Sequence, residues 1–102
     1  NVNPTYWISC LILNKKLGLK KELFIKKISK YNIDIRPIFY PLSSMPTFSE
    51  KGVNYRKMHK VSYELSNYGI CLPSGNNLTN KDISYICDSI HKVIKPYSKN
   101  IK

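Results

Sequence analysis

The stretch Ile33–Pro46, which reads Ile-Asp-Ile-Arg-Pro-Ile-Phe-Tyr-Pro-Leu-Ser-Ser-Met-Pro, decides how the rest of the chain is interpreted. Its first two isoleucines alternate with polar residues, a pattern typical of a strand with one buried face. Three prolines then remove backbone donors that a sheet would need: Pro37, Pro41 and Pro46. We therefore expect a strand that leaves its sheet as a stiff connection and presents side chains to its surroundings.

Two interpretations of this connection are open from the residues alone. Loops on a rigid scaffold often carry binding groups, which favours a site here. The same prolines would also suit a structural connection with three apolar side chains packed beneath it, namely Phe39, Tyr40 and Leu42. Before any family is considered, the packing interpretation is favoured.

Three strands and three helices are predicted along the chain. The predicted strands are Tyr6–Leu13, which is the most apolar run and should be central, Ile33–Ile38 and Ile70–Pro73. The predicted helices are Lys20–Tyr31, Asn54 to about Tyr68, and Thr79 to Pro96. The order β-α-β-α-β-α predicts an α+β fold, a small three-stranded sheet with helices packed on one face. Helical connections favour some parallel pairing, while the order of the strands stays open.

Each predicted helix is marked by local residues that begin it, end it or form an apolar stripe along it. Asn32 should close the first helix, Asn54 should cap the second, and Thr79 with Asp82 forms a capping box for the third. The expected apolar stripe of the second helix is Tyr55, Met58, Ser62 and Leu65. That of the third is Ile83, Ile86, Cys87, Ile90, Val93 and Ile94. The tail Tyr97–Lys102 is polar and is expected to fray.

The length and the ends of the sequence limit the number of domains and the type of protein that it can be. The 102 residues suffice for one domain, 1–102, but not for two. The sequence begins without Met and without a signal pattern, which predicts that it was cut from a longer protein. It contains no apolar run long enough for a membrane span, so we expect a cytoplasmic protein with no membrane partner.

The net charge of +11 raises an alternative function, a free-standing basic α+β module that binds nucleic acid. The basic residues are fifteen Lys and two Arg, and the lysines are spread over every segment. Proteins that recognise nucleic-acid bases and phosphates usually place Arg side chains together with aromatic side chains. We therefore expect no specific nucleic-acid partner.

The sequence carries few groups that suit catalysis on their own. Cys10, Cys71 and Cys87 are widely spaced in apolar runs, which predicts reduced, buried cysteines and neither disulfides nor a metal site. No phosphate loop, zinc-protease motif or nucleophile elbow occurs in the sequence, so no catalytic residue is predicted. Outside the central loop, Trp7 is expected to anchor the core and Ser74 to shape a turn.

Three motifs together resemble one known family. They are Asn-Pro-Thr-Tyr-Trp from Asn3, Ile-Arg-Pro-Ile-Phe-Tyr-Pro-Leu-Ser-Ser-Met-Pro from Ile35, and Leu-Ser-Asn-Tyr-Gly-Ile-Cys-Leu-Pro-Ser-Gly-Asn-Asn-Leu-Thr from Leu65. In this order they resemble the DegT/DnrJ/StrS nucleotide-sugar aminotransferases, most of all the perosamine-synthase type. The resemblance covers Asn3 to about Ile94.

The resemblance implies that the chain is the small C-terminal domain of a fold-type-I aminotransferase dependent on pyridoxal phosphate. Such enzymes pass an amino group from glutamate to a nucleotide-linked keto-6-deoxy sugar for polysaccharide biosynthesis, and they act as homodimers. The large domain with the cofactor and its lysine is absent here, so this fragment is expected to bind no cofactor and to be inactive alone.

The central loop lines the active-site cleft in this family, which reverses the earlier preference for packing. The resemblance therefore implies cleft-lining, substrate-binding roles for Arg36, Tyr40 and Ser43. Arg36 would face a carboxylate or phosphate, and Tyr40 a sugar or base. Ser43 stands where many relatives carry His, so its contact is left open.

Overall fold

The computed structural model describes residues 1–101, which form three short strands and four α-helices. The strands are β1 (Cys10–Ile12), β2 (Arg36–Pro37) and β3 (Gly69–Cys71). The helices are α1 (Lys21–Ile28), α2 (Tyr55–Met58), α3 (Lys60–Tyr68) and α4 (Asn80–Ile94). Turns of 3-10 helix lie at Lys15–Leu17, Ser29–Tyr31, Leu42–Ser44, Pro46–Phe48 and Lys95–Asn100. Within residues 1–101, no helix has the length and apolarity needed to cross a membrane.

The sheet has the order β1-β3-β2, and both of its pairings are antiparallel. The prediction of some parallel pairing was therefore wrong, as was the central place given to the first strand. The reason lies in the path of the chain. The connection through α1 returns the backbone so that β1 and β2 run in the same direction, and β3 then enters between them in the opposite direction. The observed sheet is thus a split arrangement around β3.

The core lies on the face of the sheet that Leu11 and Ile70 share. Successive strand residues point to opposite faces, and Ile70 is fully buried between the sheet and the helices. Helix α1 contributes Phe24 and Ile28, and α4 contributes Val93. This packing confirms an α+β fold with a small three-stranded sheet. We call the other face, which carries Cys10, Cys71 and Arg36, the open face.

The predicted capping residues of the first two helices were confirmed. Asn32 follows the first helix in a left-handed conformation, with φ 56°, and its N–H bonds to the carbonyl of Ser29. The Asn54 side chain accepts from the N–H of Lys57. The predicted second helix is broken at His59, and its stripe is not a buried one, because Met58 and Leu65 are exposed.

The capping box that starts α4 was also confirmed. The Thr79 hydroxyl accepts from the N–H of Asp82, while the Asp82 carboxylate accepts from the N–H of Thr79 at 2.8 Å. The tail after this helix does not fray over the described residues. It forms a 3-10 helix, and the Asn100 side chain donates to the carbonyl of Leu17 at 2.9 Å. Lys102, at the end of the predicted tail, lies outside the described residues.

The three cysteines are free in the structure, and the prediction that all of them are buried was wrong. Cys10 and Cys87 are exposed, and Cys71 is half-buried. Cys10 and Cys71 point to the open face because the strand alternation that buries Ile70 turns its neighbour Cys71 outward.

Candidate functional site

The central loop leaves the sheet immediately after β2 and is held by its own hydrogen bonds. The last ladder bond runs from the N–H of Ile38 to the carbonyl of Gly69, at 3.0 Å. Two 3-10 turns follow, the second with Pro46 at its start, where a missing N–H costs nothing. The Ser44 hydroxyl donates to the carbonyl of Pro41, at 2.6 Å. The loop is therefore a stiff, internally bonded connection, as its prolines predict.

The loop does not bury its apolar side chains. Phe39, Tyr40 and Leu42 are all exposed, with 67% of Tyr40 open to solvent. The interpretation in which these three side chains pack beneath the prolines was therefore wrong. The core helices pack on the face of the sheet that carries Ile70, and the contacts that this loop makes leave its apolar side chains exposed.

Arg36 lies on the open face with its guanidinium held by a neighbour. Its Nη2 is 2.9 Å from the Oδ2 of Asp34, and 76% of the Arg36 side chain is exposed. An exposed pair of this kind contributes only about 0–1 kcal/mol, because water solvates both charges. An anionic ligand that offered two oxygens to the guanidinium would displace Asp34 at little cost.

Tyr40 stands beside a buried lysine that was not predicted to matter. The Nζ of Lys21 lies 5.9 Å from the centre of the Tyr40 ring and donates to the carbonyl of Ser66 at 2.6 Å. Lys21 is itself only 8% exposed. It joins the start of α1 to the end of α3 and to the loop. No local pattern in the sequence distinguishes Lys21 from the exposed lysines around it.

Ser43 lines a shallow groove between the loop and helices α2 and α3. Its hydroxyl donates to the phenol oxygen of Tyr63, at 3.5 Å. The Arg56 guanidinium lies over the Tyr63 ring, with its central carbon 5.0 Å from the ring centre. The groove is lined further by Ser44, Ser49, Val53, Asn54 and Tyr55. This combination of hydroxyls, an amide and a guanidinium suits a polar, anionic or sugar-like ligand.

The three predicted residues therefore lie along one continuous segment, Arg36 in β2 and Tyr40 and Ser43 in the loop after it, but they have three different partners. Arg36 pairs with Asp34, Tyr40 lies beside Lys21, and Ser43 bonds to Tyr63. Arg56 was missed, although it is one of only two arginines in the sequence, and that rarity was the available signal.

Aromatic side chains extend the exposed surface onto the N-terminal segment. The Trp7 ring stacks on that of Phe39, with centres 6.3 Å apart and planes inclined by 23°. Trp7 is 71% exposed, so its predicted role as a core anchor was wrong. Ser74 does shape a turn, as predicted, because its hydroxyl donates to the carbonyl of Leu72 and accepts from the N–H of Ser9.

Two groups in the described chain have a displaced pKa. Burial, and after it the neighbouring thiol of Cys10, raises the pKa of Cys71. Hydrogen bonds from Thr79 lower the pKa of Asp82 at the start of α4. Neither lies in the loop.

Comparison with known proteins places this sequence in a family. A model of the DegT/DnrJ/EryC1/StrS aminotransferase family matches residues 1–91. The chain is 35% identical to the GDP-perosamine synthase of Escherichia coli O157:H7 over 90% of its own length and 24% of that protein. It is 26% identical to the GDP-perosamine synthase of Vibrio cholerae, over 84% of this chain and 23% of that protein.

A third relative is a protein of Bacillus subtilis (strain 168), provisionally named the pyridoxal phosphate-dependent aminotransferase EpsN. It is 28% identical over 94% of this chain and 26% of its own length. The chain thus spans about a quarter of the length of the curated relatives it matches. Because the family model covers most of the sequence, the chain belongs to the DegT/DnrJ/EryC1/StrS aminotransferase family.

Proposed function

We propose that the chain is the C-terminal domain of a pyridoxal phosphate-dependent sugar aminotransferase. In this proposal, the whole protein passes an amino group from glutamate to a nucleotide-linked keto-6-deoxy sugar in the cytoplasm. The observation that carries it is the match of 90% of this chain to about a quarter of a GDP-perosamine synthase. Family membership over residues 1–91 supports the same reaction class.

The role we propose for this domain is to form one wall of the active-site cleft. Its support is the exposure of the central loop, which holds its shape without burying its side chains. Arg36 would exchange its weak pair with Asp34 for a phosphate or carboxylate of the substrate. Tyr40 would offer its ring face and hydroxyl to the sugar or base, and Ser43 a hydroxyl to a polar group in the groove.

The lysines of the described residues do not fit the cofactor's covalent attachment. A lysine that forms a Schiff base needs an unprotonated amine in a pocket that lowers its pKa. Within residues 1–101 the buried lysine is Lys21, and its Nζ is already committed to the Ser66 carbonyl at 2.6 Å. We therefore propose that the cofactor and its lysine belong to another part of the whole protein. Pyridoxal phosphate would serve there as the electron sink of the reaction.

The proposal is tested by assaying the longer protein that contains this chain. The protein would be supplied with pyridoxal phosphate, glutamate and, in turn, a panel of nucleotide-linked keto-6-deoxy sugars. We expect 2-oxoglutarate to form only when a nucleotide sugar is present, and an aminated sugar to appear in equal amount. Failure with every nucleotide sugar, by a protein that does carry the cofactor, would refute the substrate class.

The 102-residue chain is the matched control for that assay. We expect it to release no 2-oxoglutarate under the same conditions, because it supplies a wall of the cleft and not the reacting lysine. Release of 2-oxoglutarate by the isolated chain would contradict the proposal that the reacting lysine lies in another part of the whole protein. We also propose that the longer protein is a homodimer, as the resemblance to the family implies, and size-exclusion chromatography with light scattering of the longer protein tests this.

A further inference from the structure

Two cysteines lie directly opposite each other on the open face of the sheet. Cys10 of β1 is paired with Cys71 of β3 in the antiparallel register, and their Sγ atoms are 4.0 Å apart. They are 61 positions apart in sequence, so only the folded sheet brings them together. Neither cysteine has a part in the function proposed above.

The position of this pair in the hydrogen-bond ladder suits a covalent bond. A backbone bond joins the adjacent pair, from the N–H of Leu72 to the carbonyl of Ser9 at 2.9 Å, and another joins a pair further along the same ladder, from the N–H of Leu13 to the carbonyl of Tyr68 at 2.9 Å. Because bonded pairs alternate along an antiparallel ladder, the cysteines form a non-hydrogen-bonded pair. Such pairs have Cα atoms about 4.5 Å apart, within the range of about 4.4–6.8 Å that disulfides require.

Solutes can reach both sulfurs. Cys10 is exposed and Cys71 is half-buried. Both line an open cavity of about 400 Å³ whose other walls include the aromatic rings of Trp7 and Phe39. A small disulfide can therefore approach Cys10 from the cavity. Burial and the adjacent thiol raise the pKa of Cys71, and Cys10 is the more accessible of the two thiols, so we expect Cys10 to react first.

A metal site is the other use of two adjacent thiols, and the surroundings do not support it. Structural zinc takes four ligands from Cys, His, Asp or Glu. Within residues 1–101, no group of three or more such side chains is close enough to hold an ion. The arrangement therefore points to redox chemistry.

We propose that Cys10 and Cys71 are a redox-active dithiol, which low-molecular-weight disulfides convert to a disulfide across β1 and β3. The Cys10 thiolate attacks one sulfur of the small disulfide, whose S–S bond breaks and releases one thiol. Cys71 then loses its proton to water and attacks the Cys10 sulfur, which releases the second thiol. The two protein thiols lose two electrons and two protons, and the small disulfide gains them as two thiols.

The bond would form beside the candidate substrate loop. Cys71 is paired with Cys10 on one side and with Arg36 on the other, so the three residues form one row across the open face. Oxidation would tie the edge strand β1 to the centre of the sheet in that row. The dithiol is thereby placed to make the position of the N-terminal segment, including Trp7, depend on the thiol–disulfide balance.

The test uses oxidised glutathione as the probe on the purified 102-residue chain, followed by peptide mapping under non-reducing conditions. We expect a Cys10–Cys71 cross-linked peptide in the wild type and equally in the control variant Cys87→Ser. In Cys71→Ser, glutathione should remain attached to Cys10, because the resolving thiol is gone.

The same reaction in concentrated urea measures the contribution of the fold. At equal glutathione ratios, we expect the disulfide to be favoured at least about tenfold more in buffer than in urea, since only the folded sheet holds the thiols together. Separate glutathione adducts on the two cysteines, or the same disulfide fraction with and without urea, would overturn the proposal.

Discussion

Replacing Lys21 with Met should destabilise the chain by about 2 kcal/mol, far more than the same change at its neighbour Lys20. The Lys21 ammonium donates to the carbonyl of Ser66 at 2.6 Å. Ser66 is one of the last four residues of α3, whose carbonyls lack partners within the helix. A buried cation at this position satisfies the carbonyl and also faces the negative end of the helix dipole.

The magnitude follows from the contacts of the ammonium. A hydrogen bond to a charged group contributes about 1.5–3 kcal/mol, and the Tyr40 ring at 5.9 Å adds about 0.5–1 kcal/mol. Relief of the desolvation of the buried ammonium offsets part of this sum. Met keeps the apolar stem of the lysine, so little packing is lost. Lys20 is exposed and makes no side-chain capping bond, so Lys20→Met should change stability by less than about 0.5 kcal/mol.

Urea unfolding of the three proteins, followed by far-ultraviolet circular dichroism, measures the difference. At an m-value of about 1–3 kcal/mol/M, the midpoint of Lys21→Met should fall by about 1 M, with the slope unchanged. Equal midpoints for Lys21→Met and Lys20→Met would refute the view that Lys21 joins α1, α3 and the central loop.

Other predictions concern the core, the tight contact under the loop and the start of α4. Phe24→Ala should cost about 4 kcal/mol in urea unfolding, since Phe24 is 0% exposed. Gly69→Ala should cost about 2 kcal/mol in the same assay, because a Cβ there would lie 2.5 Å from the backbone oxygen of Leu65. Thr79→Ala should lower stability by about 1 kcal/mol through loss of the N-cap, which thermal unfolding detects. Since the folded state lowers the pKa of Asp82, its contribution is present above the ordinary aspartate pKa of 3.8 and is lost as pH falls through the lowered value. Wild-type stability should therefore fall more steeply with acid than that of Asp82→Asn, and parallel profiles would contradict the capping role.

The helices were largely predictable because their signals are local. The Thr79 capping box and the left-handed Asn32 each depend on residues within one turn, so the sequence contains the whole interaction. The predicted apolar stripe of α4 was right where the helix packs on the core, at Ile90 and Val93. Its first position, Ile83, is exposed because the stripe is longer than the surface that it covers.

The sheet order and the exposed loop were not predictable because both depend on distant parts of the chain. Helix α1 does bring β1 and β2 into the same direction, but whether they touch is decided by β3, which arrives more than thirty residues later. The apolar character of Trp7 and Tyr40 indicated burial, yet burial depends on what covers a face. The core helices α1 and α4 cover the face that carries Ile70, and the rings of Trp7 and Tyr40 remain exposed.

The most direct test of the central claim is the steady-state kinetics of loop variants in the longer protein. Arg36→Gln and Tyr40→Phe should each lower kcat/KM for the nucleotide sugar at least about tenfold, the effect of losing one charged or polar contact of about 1.4 kcal/mol. The matched controls Lys30→Gln and Tyr85→Phe change a charge and a hydroxyl away from the loop, and they should leave kcat/KM unchanged. Wild-type kinetics in both loop variants would contradict the claim that Arg36 and Tyr40 line the substrate cleft.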